Sequence, residues 1–223
     1  MYLSKIEKPQ SFKQHAYEEI KNAIINHTIP QGKVLFERNL SDMLGISRTP
    51  LRSAIQMLEM EGWLTSEPRK GVFINKIAEN DVIEVIQLRK ANESLVVEIM
   101  IPEVTDEEVA QLESIFASQV QHLADDKLFI LTDKDFHMYM AELTGNKRLI
   151  QLMQTLSDQM RWFGIMALHS TERKKRTLEE HRSIIESIKN RDVELAKKAV
   201  IDHIEQTRTA VLAAMKEHEE EQP

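Results

Sequence analysis

The 223-residue sequence contains no cysteine. That excludes a disulfide framework, an iron–sulfur cluster and a thiolate zinc site, and it agrees with a reducing compartment such as the cytoplasm. Glycine and proline number six each, too few for a turn-rich β architecture. No stretch approaches the ~18 uncharged apolar residues of a membrane span. The first ten residues, Met1–Gln10, carry Lys5, Glu7 and Lys8 and lack the apolar run of a signal peptide. What is present is 42% hydrophobic and 29% charged residues. The expectation is a mostly helical protein of one large or two small domains, long enough to bury a core.

The net charge of −7 is unevenly spread. Residues 1–76 hold 11 Lys+Arg and 8 Asp+Glu, a balance of +3, and residues 77–223 carry −10. A basic segment in an acidic chain points to an anionic partner at the N-terminal end.

Apolar spacing predicts a helix over 11–27, ended by Pro30 and Gly32, a short helix over 37–44, and a third helix from Ser47 or Thr49 to Glu61. Either hydroxyl can cap the third helix, and Pro50 suits its first turn. Residues 63–66 and 72–74 read as two strands around a basic tip. Beyond Asn80 the pattern is helical throughout, with helices near 80–101, 105–124, 126–144, 147–169, 171–189 and 192–217. Thr105-x-x-Glu108 has the form of a capping box. The tail from Glu217 is expected to fray. The division is 1–76 and 77–223, with a linker near Asn75–Asn80.

Two helices joined at the Gly45 turn and followed by a hairpin describe a winged helix-turn-helix. On the third helix Arg48, Arg52 and Gln56 share one face, and Leu51, Ile55 and Leu58 the opposite one. A guanidinium face over an apolar stripe is what a recognition helix in the major groove requires, because the Arg fork bonds guanine O6 and N7 together or clamps a phosphate. Arg69 and Lys70 at the hairpin tip can reach phosphates or the minor groove, and Gly71 permits close backbone approach. Periodicity alone also allows the bland reading, in which the arginines merely solvate an exposed helix.

The run Gly45-Ile46-Ser47-Arg48-Thr49-Pro50-Leu51-Arg52 is followed by Leu58-x-x-Glu61-Gly62-Trp63-Leu64 and Gly71-Val72. With Pro30-x-Gly32 and Glu37-Arg38-x-Leu40-Ser41, it resembles the DNA-binding domain of GntR-type bacterial transcription regulators over about residues 10–75. The commonest form of the motif has an acidic residue where Ser53 stands. The resemblance implies operator contacts from Arg38, Ser47, Arg48, Thr49, Arg52, Arg69, Lys70 and Gly71. One recognition helix reads only a few bases, so a homodimer on a near-palindromic operator is expected, with the helical domain as its dimer contributor.

In the C-terminal part, Asp133 and His137 are four residues apart on one predicted helix and leave the same face. His181 and His203 lie equally far from the Asn190-Arg191-Asp192 turn, so a helical hairpin brings them level. Two helices giving one His each, facing a third giving Asp and His, can build a metal site inside a bundle. Three imidazoles and a carboxylate suit Zn²⁺, Ni²⁺ or Mn²⁺. Any one of these residues alone reads as a surface or hydrogen-bonded side chain, as His15, His27, His122, His169 and His218 are read here.

Asp133-x-x-Phe136-His137, Gly145-Asn146-x-x-Leu149 and the segment Glu180-His181-x-x-Ile184 through Asp192 and Ala196 resemble the FCD ligand-sensing domain of the FadR branch of that family. The match covers about 80–215, and the six predicted helices are more similar to the VanR-type subgroup. The resemblance implies that Asp133, His137, His181 and His203 bind a divalent metal, whose coordination a small carboxylate effector completes. Arg89 and Glu93 are either an ordinary surface pair or an inward arginine facing a ligand carboxylate, and the resemblance favours the second for Arg89; Arg161 is a weaker candidate of that kind. Met153, Met160, Met166, Trp162 and Phe163 read as core or pocket wall, and Arg173–Arg176 as a solvated face. The leading function is therefore a cytoplasmic, ligand-responsive transcription regulator, in the form of a repressor. A metal site of structural role only is the second reading. A metal-dependent hydrolase is the third, weakened by the lack of HExxH, nucleophile elbow or phosphate loop and of any geometric case for Glu180 or Glu142 as base.

Overall fold

The computed structural model describes residues 11–167 and 170–220, with side chains described for 11–165 and 170–217. The expectations for Met1–Gln10, Met166, His169 and His218 lie outside those side chains. The chain divides into two compact units, Met1–Lys76 and Ile77–Pro223.

In the first unit α1 (Phe12–Ile25) begins at Ser11, whose hydroxyl accepts from Gln14 N–H, and buries Ala16, Ile20, Ile24 and Ile25. α2 (Glu37–Leu44) ends at Gly45, held left-handed at φ 63°, which turns the chain into α3 (Arg48–Met60). Leu51, Ala54, Ile55 and Leu58 of α3 are buried, and α3 packs on α1. β2 (Leu64–Glu67) and β3 (Gly71–Ile74) form the expected hairpin. The sequence reading missed β1 (Val34–Leu35), which pairs antiparallel with β3 through Val34↔Phe73 and Leu35↔Val72. Two residues carry no period, so this strand exists only by virtue of its partner.

The pairing also explains Gly71. Its φ is +119°, and a Cβ there would lie 2.8 Å from the Leu35 carbonyl oxygen. Its lack of a side chain thus serves the β1–β3 contact, a use that no spacing in the sequence reveals.

Glu61, at the end of α3, closes this unit. Its carboxylate accepts from Tyr17 Oη (2.6 Å), Lys21 Nζ (2.9 Å) and Trp63 Nε1 (2.9 Å), joining α1 to the start of the wing. Burial alone would raise its pKa, but these three hydrogen bonds hold it below the ordinary value.

The second unit is an antiparallel bundle of six helices among the described residues: α4 (Glu79–Met100), α5 (Asp106–Gln121), α6 (Asp126–Leu143), α7 (Lys147–Ala167), α8 (Thr171–Lys189) and α9 (Val193–Glu220). The Thr105–Glu108 capping box is formed in both directions. α9 continues to Glu220, and the rest of the tail expected to fray lies outside the described residues. α4 packs along α9, α8 along α9, and α5 against both α6 and α8. The interior positions of α4, α6, α7, α8 and α9 are where buried charged and imidazole side chains gather. Among the described residues no helix is long and apolar enough to cross a membrane.

Removing the Glu61 carboxylate takes one acceptor from Tyr17 Oη, Lys21 Nζ and Trp63 Nε1 at a half-buried site. Glu61→Ala is expected to destabilise the N-terminal unit by about 1–3 kcal/mol, read as a lower urea midpoint by circular dichroism. An unchanged midpoint would contradict the role assigned to this carboxylate.

Candidate functional site

The N-terminal unit presents one exposed polar face. Arg48, Thr49, Arg52 and Gln56 are exposed along α3, while its opposite stripe is buried. Ser47 occupies the N-cap position but makes no capping bond, and Thr49 lies inside the first turn, so the expected hydroxyl cap is absent. Both hydroxyls stay on the solvent side with the arginines. Arg52 Nε donates to Glu37 Oε2 (2.8 Å), tying the α3 face to the start of α2, where Arg38 is also exposed. In the wing, Arg69 adopts a positive φ of 67°, unusual for a residue with a side chain, and Lys70 pairs with Glu67 at 2.7 Å. One cleft is lined by Phe36 and Glu37 on one side and by Arg69 and Gly71 on the other, so wing tip and α2 share an edge.

In the helical unit Asp133, His137, His181 and His203 converge. Each offers a ligand atom, and these atoms all lie within 4.8 Å of one another. The ring centroids are 5.2 Å apart for His137–His181, 5.1 Å for His137–His203 and 4.7 Å for His181–His203. The helical hairpin about residue 192 does bring His181 and His203 level, and α6 supplies the other two. All three imidazoles are buried.

What the sequence did not reveal is how each ring is oriented. His181 Nδ1 is 2.8 Å from Gln119 Oε1, His203 Nδ1 is 2.7 Å from Glu180 Oε2, and His137 Nδ1 is 2.8 Å from Glu93 Oε2. Gln119 Nε2 also donates to Asp133 Oδ1 (3.3 Å), which leaves its Oε1 as the acceptor facing His181 and puts that imidazole proton on Nδ1. Phe136 stacks on His181 with ring centroids 4.2 Å apart. Nδ1 of His181 and of His203 each face an acceptor, and His137 Nδ1 approaches Glu93 Oε2 without hydrogen-bond geometry; both ring nitrogens of His137 and Nε2 of His181 are buried without a hydrogen-bond partner. Three imidazoles and a carboxylate, with the Nε2 atoms of His137 and His181 left without partners, fit a divalent metal. No spacing in the sequence links Gln119 to His181, 62 residues away.

A cavity of about 50 Å³ opens beside His137 and His203 and is lined also by Asp133, Arg89, Arg161 and Arg173. Arg89 and Glu93 are both buried and ion-paired, so the surface-pair reading of this couple falls away. The reading of Arg173–Arg176 as a solvated face also needs correction. Arg173 donates to both oxygens of Glu180 (2.7 and 3.0 Å), and Lys174 is buried, with Nζ 2.7 Å from both Leu123 O and Asp126 Oδ1. A charge run on a helix shows which residues can be solvated, but helix rotation decides which are. Glu180 is committed to Arg173 and His203, and Glu142 is exposed, so neither is placed as a base. Met153, Met160, Trp162 and Phe163 are buried, as a core or pocket wall requires. Outside the cluster, His15 is exposed and His27 and His122 are half-buried.

Burial, followed by the neighbouring cationic groups, pushes the pKa of His181 well below 6.5, and burial lowers His203 despite its Glu180 partner. Glu93 goes the other way from what burial dictates, because Arg89 and His137 hold it down to about 2. The unfolded chain therefore takes up protons that the folded chain refuses as pH drops below 6.5, so stability must fall with falling pH. A second loss follows below the ordinary Glu value of 4.5 as Glu93 and Glu180, both depressed, approach protonation. The metal-free protein is expected to show a lower urea midpoint at pH 5.5 than at pH 7.5. An equal or higher midpoint at pH 5.5 would show that His181 and His203 are not held neutral.

Comparison with known proteins agrees with this division. Residues 12–74 match the bacterial regulatory proteins of the gntR family, and residues 84–206 match the FCD domain. Among curated relatives, the HTH-type transcriptional regulator YdhC of Bacillus subtilis (strain 168) is 30% identical over 202 residues, 89% of this chain and 90% of that protein. The Uxu operon regulator of Haemophilus influenzae is 29% identical over 79% of this chain and 72% of its own length. Among solved structures, E. coli McbR/YncC has a TM-score of 0.78 at 17% identity, covering 92% of this chain and 99% of that one. A GntR regulator from Rhodococcus sp. RHA1 has the same TM-score at 21% identity, covering 90% and 97%. These relatives and families are transcription regulators and not enzymes, which removes the hydrolase reading. The chain belongs to the GntR family of DNA-binding transcription regulators, with a winged helix-turn-helix reader followed by an FCD domain.

Proposed function

We propose that this regulator binds a near-palindromic operator as a homodimer in the cytoplasm and represses transcription from it. In this reading it senses a small organic acid at a divalent-metal site in the FCD domain. The observation that carries the sensing part is the convergence of Asp133, His137, His181 and His203, with the Nδ1 atoms of His181 and His203 turned to acceptors, beside a cavity bordered by cationic side chains. A Zn²⁺, Ni²⁺ or Mn²⁺ ion there would supply a Lewis-acidic position for a carboxylate oxygen. Glu93, Gln119 and Glu180 fix ring orientation and tautomer and raise the basicity of the imidazoles. Arg89 and Arg161 border the cavity and would face the negative charge of the acid. The acid can change DNA affinity only as far as it favours one arrangement of the two readers over another, typically ~1–3 kcal/mol.

For DNA, the proposed contacts are Arg38, Ser47, Arg48, Thr49, Arg52, Arg69, Lys70 and Gly71. Arg48 and Arg52 are assigned to base edges, and Lys70 to phosphate because it stands at the exposed wing tip.

Metal content by elemental analysis tests the site. His137→Ala, His181→Ala and His203→Ala are each expected to lose stoichiometric metal, and Gln119→Leu to weaken it by ~10–100-fold in chelator competition. Chelation should abolish any thermal shift caused by small carboxylates. Metal retained by all three His variants would refute the ligand assignment. Metal bound by the wild type with no response to any acid would favour the structural-metal reading.

Gel shifts test the reader. Arg48→Ala and Arg52→Ala are each expected to weaken operator binding by ~1–3 kcal/mol and relax its sequence preference. Lys70→Ala should weaken all sequences alike and reduce the salt slope by about one. Unchanged affinity and preference in both Arg variants would contradict the proposed interface.

A further inference from the structure

The start of α2 carries a residue that neither capping nor core packing explains. Phe36 occupies the N-cap position in extended backbone (φ −111°, ψ 130°), where its ring can accept no hydrogen bond from the first turn of the helix. At the same position of α1, α5, α6 and α8, the side chains of Ser11, Thr105, Asp125 and Ser170 each accept from a backbone N–H. Nor does Phe36 belong to the core, since it is 53% exposed. A phenylalanine here forgoes a stabilising cap and leaves apolar surface in water.

What the ring does touch is the base of the wing. β1 pairs with β3 through Val34↔Phe73 and Leu35↔Val72, and that antiparallel register sets Phe36 level with Gly71. A Cβ on Gly71 would stand 3.4 Å from Phe36 Cε1, so the ring borders the space that a side chain on Gly71 would enter. An aromatic side chain across from a strand glycine covers backbone that the glycine leaves bare. Gly71 sits at φ +119°, a conformation that only glycine visits freely, and it follows directly on the wing tip. The tip itself is closed by Lys70 N–H donating to Glu67 O (3.1 Å), and Pro68, Arg69 and Lys70 are exposed on it. Phe36, Pro68, Arg69 and Gly71 line one cleft.

We propose that Phe36 is a positioning residue for DNA recognition: its ring fixes Gly71, and with it the direction in which Arg69 and Lys70 leave the wing. This rests on the assignment of the wing tip to DNA made above. A tip held in place beforehand loses less freedom when it meets the DNA, so more of the cationic contact appears as affinity. Phe36 acts through these cations, and its effect is therefore read in the salt dependence of binding.

The test uses the full chain and a DNA site selected by the wild-type protein from random sequence, titrated in gel shifts between ~50 and ~200 mM salt. Serine is the replacement of choice because its hydroxyl can cap α2 and so spare the fold. Phe36→Ser is expected to weaken binding about 5–10-fold and to lower the salt slope by about one, although it removes no charge. Phe36→Tyr, which keeps the ring, should retain both affinity and slope. Added to Lys70→Ala, Phe36→Ser should lower the slope no further than Lys70→Ala does alone. The slope compares affinities of one preparation at several salt concentrations, so a reduced active fraction leaves it unaltered. An unchanged slope in Phe36→Ser, an equal loss in Phe36→Tyr, or slope losses that add in the double variant would each overturn the inference. An unchanged slope when Arg69→Ala and Lys70→Ala are combined would instead overturn the assignment of the wing tip to DNA.

Discussion

Three buried imidazoles packed within about 5 Å of one another, beside a carboxylate, are the constraint around which the helical unit is organised. Such a group is unfavourable by itself, because burial opposes any charge on the rings and each ring disfavours protonation of the others. Each ring is tolerated because its Nδ1 faces an acceptor from a different helix: Glu93 on α4, Gln119 on α5 and Glu180 on α8. The acceptors are themselves held, Glu93 by Arg89, Glu180 by Arg173, and Gln119 by Asp133. Five helices therefore meet at one cluster, and the orientation of any ring depends on where the others place its partner.

The same network separates two classes of charge. Arg89, Lys134 and Arg173 are paired inside the protein, so they shape the electrostatics of the cavity without being unpaired cations. His137 and His181 keep their Nε2 atoms without a hydrogen-bond partner, and Ser157 its hydroxyl. Unmade hydrogen bonds in a packed interior are rare, and here His137 and Ser157 both bring them to one small cavity.

The N-terminal unit works on a different principle. Its exposed arginines need no buried partners, only a rigid helix that fixes their spacing. That rigidity comes from the apolar stripe of α3 against α1 and from the Glu61 carboxylate that joins Tyr17, Lys21 and Trp63. The Arg52–Glu37 bond extends the same order to the start of α2.

The sequence by itself determined the helices, the hairpin, the polar face of α3 and the four-residue step between Asp133 and His137, because these follow from local periodicity and breaker residues. It also placed His181 level with His203, since a short turn and equal arm lengths suffice for that. Tertiary structure alone decided what lies between distant segments. Gln119 reaches His181 across 62 residues, β1 exists only because β3 is beside it, and Gly71 is required by the Leu35 carbonyl. It also decided which members of a charged or hydroxylated set turn inward: Lys174 in the basic run, Ser157 on α7, and the Arg89–Glu93 pair that spacing left open. Hydrophobic period fixes the axis and length of a helix. The rotation of that helix against several neighbours, which sets the surroundings of each polar atom, is a property of the packed whole.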